Sequence, residues 1–296
     1  MHRKHSHCLP IIWLLLSPLL AHAAGYYGDG GYVDGDVSLR YESNLSRANQ
    51  QRDIEEDMVT ALSAGAGYLK NLNEKSQLLI SAYLAHERFA EFKDLNNIEA
   101  NATLVYTIQP QAGYTQPWFT VKGKVSRWQF NKSAIRDSTL LAVGVGAGKR
   151  LNDKVIAQLD YDYEHRISER KVFDTDVHNL KAQLVYSHTP AVSLFGNYNL
   201  QYGEVVSTAT PNASIIAAAN RVAPDDVFTP GLGPGCMNRR CAYQLDALGH
   251  FFEAGMEWNL NQTFTFDTSG RYFIVDGDGL EAYKGWIYRV GLYMQF

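Results

Sequence analysis

The last twelve residues constrain this chain more tightly than anything else in it. Trp286, Tyr288, Val290, Leu292, Met294 and Phe296 alternate with Gly285, Ile287, Arg289, Gly291, Tyr293 and Gln295. Successive side chains of a β-strand point to opposite faces, so this stretch presents one apolar face and one that is mostly polar or small. An alternation of that kind running to the final carboxylate suits a strand with hydrocarbon on one side and water on the other.

The same period of two recurs. Val155, Ala157, Leu159, Tyr161 and Tyr163 alternate with Gln158, Asp160, Asp162, Glu164 and Arg166; Val192, Leu194, Tyr198, Leu200 and Tyr202 with Ser193, Asn197, Asn199 and Gln201; Leu248, Phe252, Ala254, Met256 and Trp258 with Gly249, Glu253, Gly255, Glu257 and Asn259. Helical spacing fits none of these segments. A hydrophobic content of 46% and a mean hydropathy of −0.25 would pass for a soluble chain. A secreted β-sandwich also alternates, but it would have to leave many leucines and tyrosines in water.

Connections between the alternating segments are short and long by turns. Tight ones fall at 71–74, 109–114, 152–153, 189–190 and 261–262, longer ones near 45–55, 90–96, 131–136, 168–174, 206–243 and 276–282. Five turns and six loops make an all-β, antiparallel up-and-down barrel of about twelve strands over residues 35–296. Strands of about 14 residues, tilted by about 40°, rise roughly 35 Å and so clear the apolar band of a bilayer. Trp118 and Trp258 lie beside turns, Trp128 and Trp286 toward loops, as two aromatic girdles require, although Trp128 falls on the interior phase.

The beginning of the chain reads as an export signal over residues 1–23: basic Arg3 and Lys4, an apolar run from Leu9 to Leu20, and the small-residue site Ala21-His22-Ala23. The run is too short to span a bilayer as a helix. A short Gly-rich segment, 24–34, follows. Without the leader, 25 basic residues stand against 31 acidic ones, a net of −6, which gives no reason to expect nucleic acid as a partner.

The leader, the repeated short strands and the terminal aromatic strand resemble the porin-like outer-membrane β-barrels of Gram-negative bacteria. The resemblance is architectural, covers residues 24–296 and names no particular family. It implies an outer-membrane location, lipid contact, and recognition of Phe296, Met294 and Leu292 by the barrel-assembly machinery. It does not supply a function.

Twelve strands leave a narrow interior. On this phase Arg40, Arg271 and Arg289 point inward near the closing seam, Lys122 and Lys124 add a second basic stretch, and Asp160, Asp162 and Glu164 form an acidic one. Two readings follow: opposed stripes setting a transverse field across a pore, or charges that pair with one another in a packed interior. Ala61, Ser63, Gly65 and Gly67, with Ala142, Gly144, Gly146 and Gly148, are expected to leave room for water, a ligand or an inserted loop. The segment 206–243 is the obvious candidate to enter, with a short helix expected over 213–222 behind an Asn212 cap. Cys236 and Cys241 are expected to close a disulfide within it; metal binding by this pair is the poorer reading.

Catalysis has one weak foothold. Asp174, Asp176 and His178 have the types for a water-activating site at the barrel mouth, but their parity places them outward. The segment Asp276-Gly277-Asp278-Gly279 lacks the remaining ligand spacing of a calcium loop. No cofactor or metal is indicated. The expectation is a narrow passive channel for small polar or charged solutes rather than an enzyme. The alternatives are a structural or interaction barrel, binding at the surface or serving as membrane sleeve for an envelope protein partner, and, less favoured, an outer-membrane hydrolase.

Overall fold

A computed structural model describes residues 29–225, 227, 236, 239–277 and 281–296. The export-signal reading and part of the 276–282 loop lie outside them. The elements are β1 (Gly30–Glu42), β2 (Asp57–Asn73), β3 (Ser76–Phe89), β4 (Asn97–Ile108), β5 (Trp118–Phe130), β6 (Ser138–Arg150), β7 (Val155–Ser168), β8 (Thr175–Ser187), β9 (Val192–Ala209), a six-residue helix α1 (Ala213–Ala218), β10 (Arg221–Pro224), β11 (Cys241–Asn259), β12 (Phe264–Gly277) and β13 (Tyr283–Gln295).

Twelve of these strands close an antiparallel barrel, each paired with its sequence neighbour except that β9 pairs directly with β11. The seam is β1 against β13, with Asp34 opposite Gln295 and Arg40 opposite Arg289. Closure removes the free strand edges that hydrocarbon cannot satisfy. Val33, Val37, Leu39, Leu62, Leu84, Leu104, Val143, Leu184 and Val290 are exposed on the outer wall, whereas Asp34, Asp36, Ser38, Asp160, Asp162 and Asn179 are buried inside. This inverts the soluble pattern and is what a membrane barrel requires.

β1 starts at Gly30, five residues earlier than expected, because Tyr32 and Asp34 continue the inward phase and pair with Gly67 and Gly65. Trp258 and Trp286 face outward, with Tyr272 and Tyr288 packed on the Trp286 ring. Trp118 does not join the turn-side girdle: it lies buried in the interior against Gly148, and Trp128 is likewise interior.

The largest departure from the wall is on the loop side. β9 and β11 run for 18 and 19 residues and overshoot their neighbours. The β8–β9 ladder stops at Val177 opposite Gly203, and β12 stops at Gly277 opposite Ala247. Beyond those points β9 follows only β11, and β10 takes the edge that β12 has left, with Arg221 opposite Gln244. Gly203 stands at the departure with φ +133, where a Cβ would also strike the Asp176 carbonyl; only glycine meets both demands. α1 is capped as expected, Ile215 N donating to Asn212 Oδ1 at 2.9 Å, but ends at Ala218 because Arg221 and Val222 are drawn into β10.

Candidate functional site

The three-stranded flap of β9, β11 and β10 folds across the loop-side mouth and touches four loops in turn. Thr208 N donates to Ser46 O at 2.9 Å and Thr210 Oγ1 to Asp53 Oδ1 at 2.6 Å, both in the β1–β2 loop. Val227 packs with Phe92 and Leu95 of the β3–β4 loop. Asp225 pairs with Arg136 of the β5–β6 loop, and Arg221 donates to Lys171 O at 2.8 Å in the β7–β8 loop. The segment between β9 and β11 therefore folds inward over its described length.

Beneath the flap lie the main apolar clusters of the interior. Leu45, Val59, Phe89, Phe92, Leu95, Trp128, Phe130 and Leu140 form one buried cluster with Val227. Val205, Ile215, Tyr243, Leu245, Phe251, Phe273 and Ile287 form another. Within this tier Arg136 and Asp225 are an ion pair whose side chains are both 0% exposed. Arg136 also donates to Ser133 Oγ and stacks on the Phe173 ring at 4.6 Å, while Thr208 Oγ1 donates to Asp225 at 3.0 Å. A pair so deeply desolvated needs further hydrogen bonds to offset its burial, and Ser133 and Thr208 supply two of them. On the opposite rim Arg240 bonds Glu55 at 2.7 Å and Asp53 at 3.4 Å. Arg240 directly precedes Cys241, whose disulfide to Cys236 is formed.

One local device shapes three of the loops. Phe89 N donates to Asn96 Oδ1 at 2.8 Å, Phe130 N to Asp137 Oδ1 at 2.8 Å and Ser168 N to Asp174 Oδ1 at 2.7 Å. Each acceptor follows a single helical turn, at Lys93–Leu95, Ala134–Arg136 and Lys171–Phe173. In each case the strand's last free N–H is satisfied by an Asx side chain, and the residue before it is buried: Leu95, Arg136 and Phe173. Sequence reading missed all three, although an Asx six or seven residues past a strand end, directly after a bulky residue, is a signal in the text.

The rest of the interior is polar from the turns up to the loop ends of β1 and β3, and many of its charges are paired. Arg40 bonds Glu42 at 2.6 Å and Glu87 at 2.9 Å, Arg289 bonds Asp36 at 2.6 Å and also Asp267, and Arg271 bonds Glu253 at 3.4 Å. Lys122 reaches Asp160 at 2.9 Å and Asp162 at 3.0 Å, Lys181 bonds Asp162 at 2.8 Å, and Lys124 bonds Glu99 at 3.2 Å. The eight charged residues named from the sequence thus all point inward, but they do not form opposed stripes. Lys122 on β5 meets Asp160 and Asp162 on β7 across Gly144 and Gly146 of β6, whose missing side chains let the pairs form side by side. Glu164, which can only accept, takes a bond from Asn179 Nδ2, and Asn179 Oδ1 in turn accepts from Asn199 at 3.2 Å.

The space expected above the small residues is likewise taken. The Tyr83 ring lies over Gly65, the Tyr32 ring over Gly67 and Trp118 over Gly148. Tyr83 and Tyr293 each donate to Asp34 Oδ2 at 2.9 Å. Glycine here is a floor for a neighbour's ring, not a vacancy.

Asp176 and His178 do project outward, as parity predicted. Asp176 Oδ1 accepts from Tyr163 at 2.5 Å and from His165 Nδ1 at 2.7 Å, and His178 Nδ1 bonds Tyr161 at 2.8 Å. Asp174 is not with them, being occupied by Ser168 N and by Lys171 Nζ at 2.9 Å. The trio is therefore divided between a loop staple and an outer-wall cluster. Among the described residues no group of three or more His, Cys, Asp or Glu is arranged to hold a metal ion.

These features define the class: a closed, twelve-stranded antiparallel barrel of the outer-membrane type. An outer membrane channel from Pseudomonas putida F1 shares the fold at a TM-score of 0.54 and 10% identity, with 90% of this chain and 96% of that one covered. The KdgM porin aligns at 9% identity and a TM-score of 0.44, covering 89% and 99%. The P. putida toluene transporter TodX aligns at 9% and 0.42, covering 95% and 93%. No family model matches the chain, and no curated protein matches it.

Proposed function

We propose that this chain is a narrow channel in the outer membrane of a Gram-negative bacterium, passing small polar or charged solutes by diffusion and gated at its loop-side mouth. The observation that carries the reading is the polar tier. Its ion pairs and amides, from Asp36–Arg289 to Asn179–Glu164, line the interior where twelve strands can leave passage for water. A charged solute entering there exchanges partners with a pre-existing pair instead of desolvating alone. The likeness to the P. putida F1 channel supports this at the level of the barrel.

The flap sets the condition for passage. The Arg136–Asp225 pair and the apolar cluster around Val227 stand across the mouth, so conduction requires the flap to move. Planar-bilayer conductance tests the reading: the wild type is expected to show small, intermittent openings, and Asp225→Ala long ones. A sealed barrel in both would overturn it. Replacing Arg40, Arg271 and Arg289 by Glu is expected to shift selectivity toward cations; an unchanged reversal potential would place those side chains outside the conduction path.

The same covered mouth favours a second reading, a structural barrel that binds at the surface or sleeves an envelope partner. It predicts no conductance even with the flap released. For assembly, the terminal strand, with Phe296 exposed, is the segment offered to the barrel-assembly machinery. Deleting Phe296 is expected to lower the folded yield in cells without changing the stability of the protein refolded in detergent.

A further inference from the structure

A hollow of about 310 Å³ opens on the outer wall between β6 and β7, lined by Leu141, Ala142, Val143, Tyr163 and His165. Leu141 and Val143 are 48% and 62% exposed, so its floor is apolar and open to the membrane. On the β5 side the residue level with Val143 is Gly123, and a Cβ there would meet only the Ala142 carbonyl, at 4.0 Å. The hollow thus continues as a groove where the outer row of β5 lacks a side chain. One row nearer the loops Val125, Leu141, His165 and Asp176 lie abreast, and in the next row Arg127 stands opposite Thr139.

We propose that this groove is a binding site for a phosphate-bearing membrane lipid, one acyl chain lying over Gly123, Leu141 and Val143 and the headgroup held at Arg127 and His165. The order of the rows carries the assignment: apolar floor toward the bilayer centre, polar groups toward the loops, as a lipid is itself arranged. Arg127 is loosely engaged, by Thr139 Oγ1 at 3.3 Å and an exposed pair to Glu169 at 3.9 Å. Exposed pairs of that length contribute little, and a phosphate offers a guanidinium two oxygens in fixed geometry. His165 Nδ1 bonds Asp176, which leaves the other ring nitrogen to bond a headgroup oxygen. The carboxylates of Glu169 and Asp176 stand beside the site: Asp176 already accepts from Tyr163 and His165, and Glu169 meets Arg127 at 3.9 Å.

Native mass spectrometry of the protein in detergent, with phosphatidylglycerol and phosphatidylcholine as probes, tests this without reference to transport. Phosphatidylglycerol, anionic and hydroxylated, is expected to be retained about tenfold more tightly than the zwitterionic lipid, a difference of about 1.4 kcal/mol. Arg127→Gln is expected to abolish the preference, and Gly123→Leu, which fills the groove, to remove the adduct of both lipids. Lys132→Gln, another exposed loop-side cation, is expected to leave retention unchanged. Equal retention of the two lipids by the wild type, or adducts unaltered in Arg127→Gln, would overturn the proposal. Arg127 is exposed, so this variant decides the matter even if Gly123→Leu fails to assemble.

Discussion

The two tiers of the barrel interior solve one packing problem in opposite ways. On the turn side, the wall is built from small residues, and large or charged neighbours lie down on it: Tyr83 on Gly65, Trp118 on Gly148, Lys122 and Asp162 over Gly144. On the loop side, leucines and phenylalanines from loops and strand ends meet in an apolar core beside the Arg136–Asp225 pair. The polar tier neutralises many charges by repeated pairing in which carboxylates and cations share partners, while the Arg136–Asp225 pair stands 0% exposed with apolar groups around it. The lesson is that equal chemistry carries unequal weight at different depths.

That contrast breaks most readily at Asp225. Asp225→Ala leaves Arg136 charged and buried, and is expected to cost about 3–5 kcal/mol of local stability, read as faster hydrogen exchange in the flap. The double variant Arg136→Met/Asp225→Leu should recover most of it; a single variant no worse than Arg289→Met would erase the distinction between the tiers. Next in size, Gly144→Val forces a branched side chain into the space of Asp162 and Lys122. A loss of about 1–3 kcal/mol in urea unfolding followed by tryptophan fluorescence is expected. Replacing Cys236 and Cys241 by Ser releases a short loop, worth up to about 2 kcal/mol, and should appear as proteolysis near Arg240 with the barrel intact. Smallest, Asn96→Ala removes one staple acceptor from Phe89 N, at about 1 kcal/mol, and should loosen only the β3–β4 loop.

The wall was legible in the sequence because hydrocarbon and water impose a strict period of two, which fixed the inward phase of Arg40, Lys122, Asp160 and Arg289 in advance. Partners were not legible. Whether Lys122 faces an acid across the lumen or two strands along the wall depends on what lies between, and that turned out to be glycine. Trp118 shows the same limit: its place beside a turn said girdle, but its parity is interior and Gly148 receives its ring. The flap escaped because strands β9 and β11 continue past the membrane, where neither medium enforces alternation. In β11 every residue from Cys241 to Leu245 is buried, and that stretch has no period of two.

Gly203 gives this architecture a mechanical character. Because β9 and β11 belong to both wall and cover, the cover cannot come away as a separate body; it can only bend about the point where β9 parts from β8. Any pull on the flap from outside is therefore delivered into the hydrogen-bond ladder between β8 and β9, and the barrel's own staves become the lever arm of its lid.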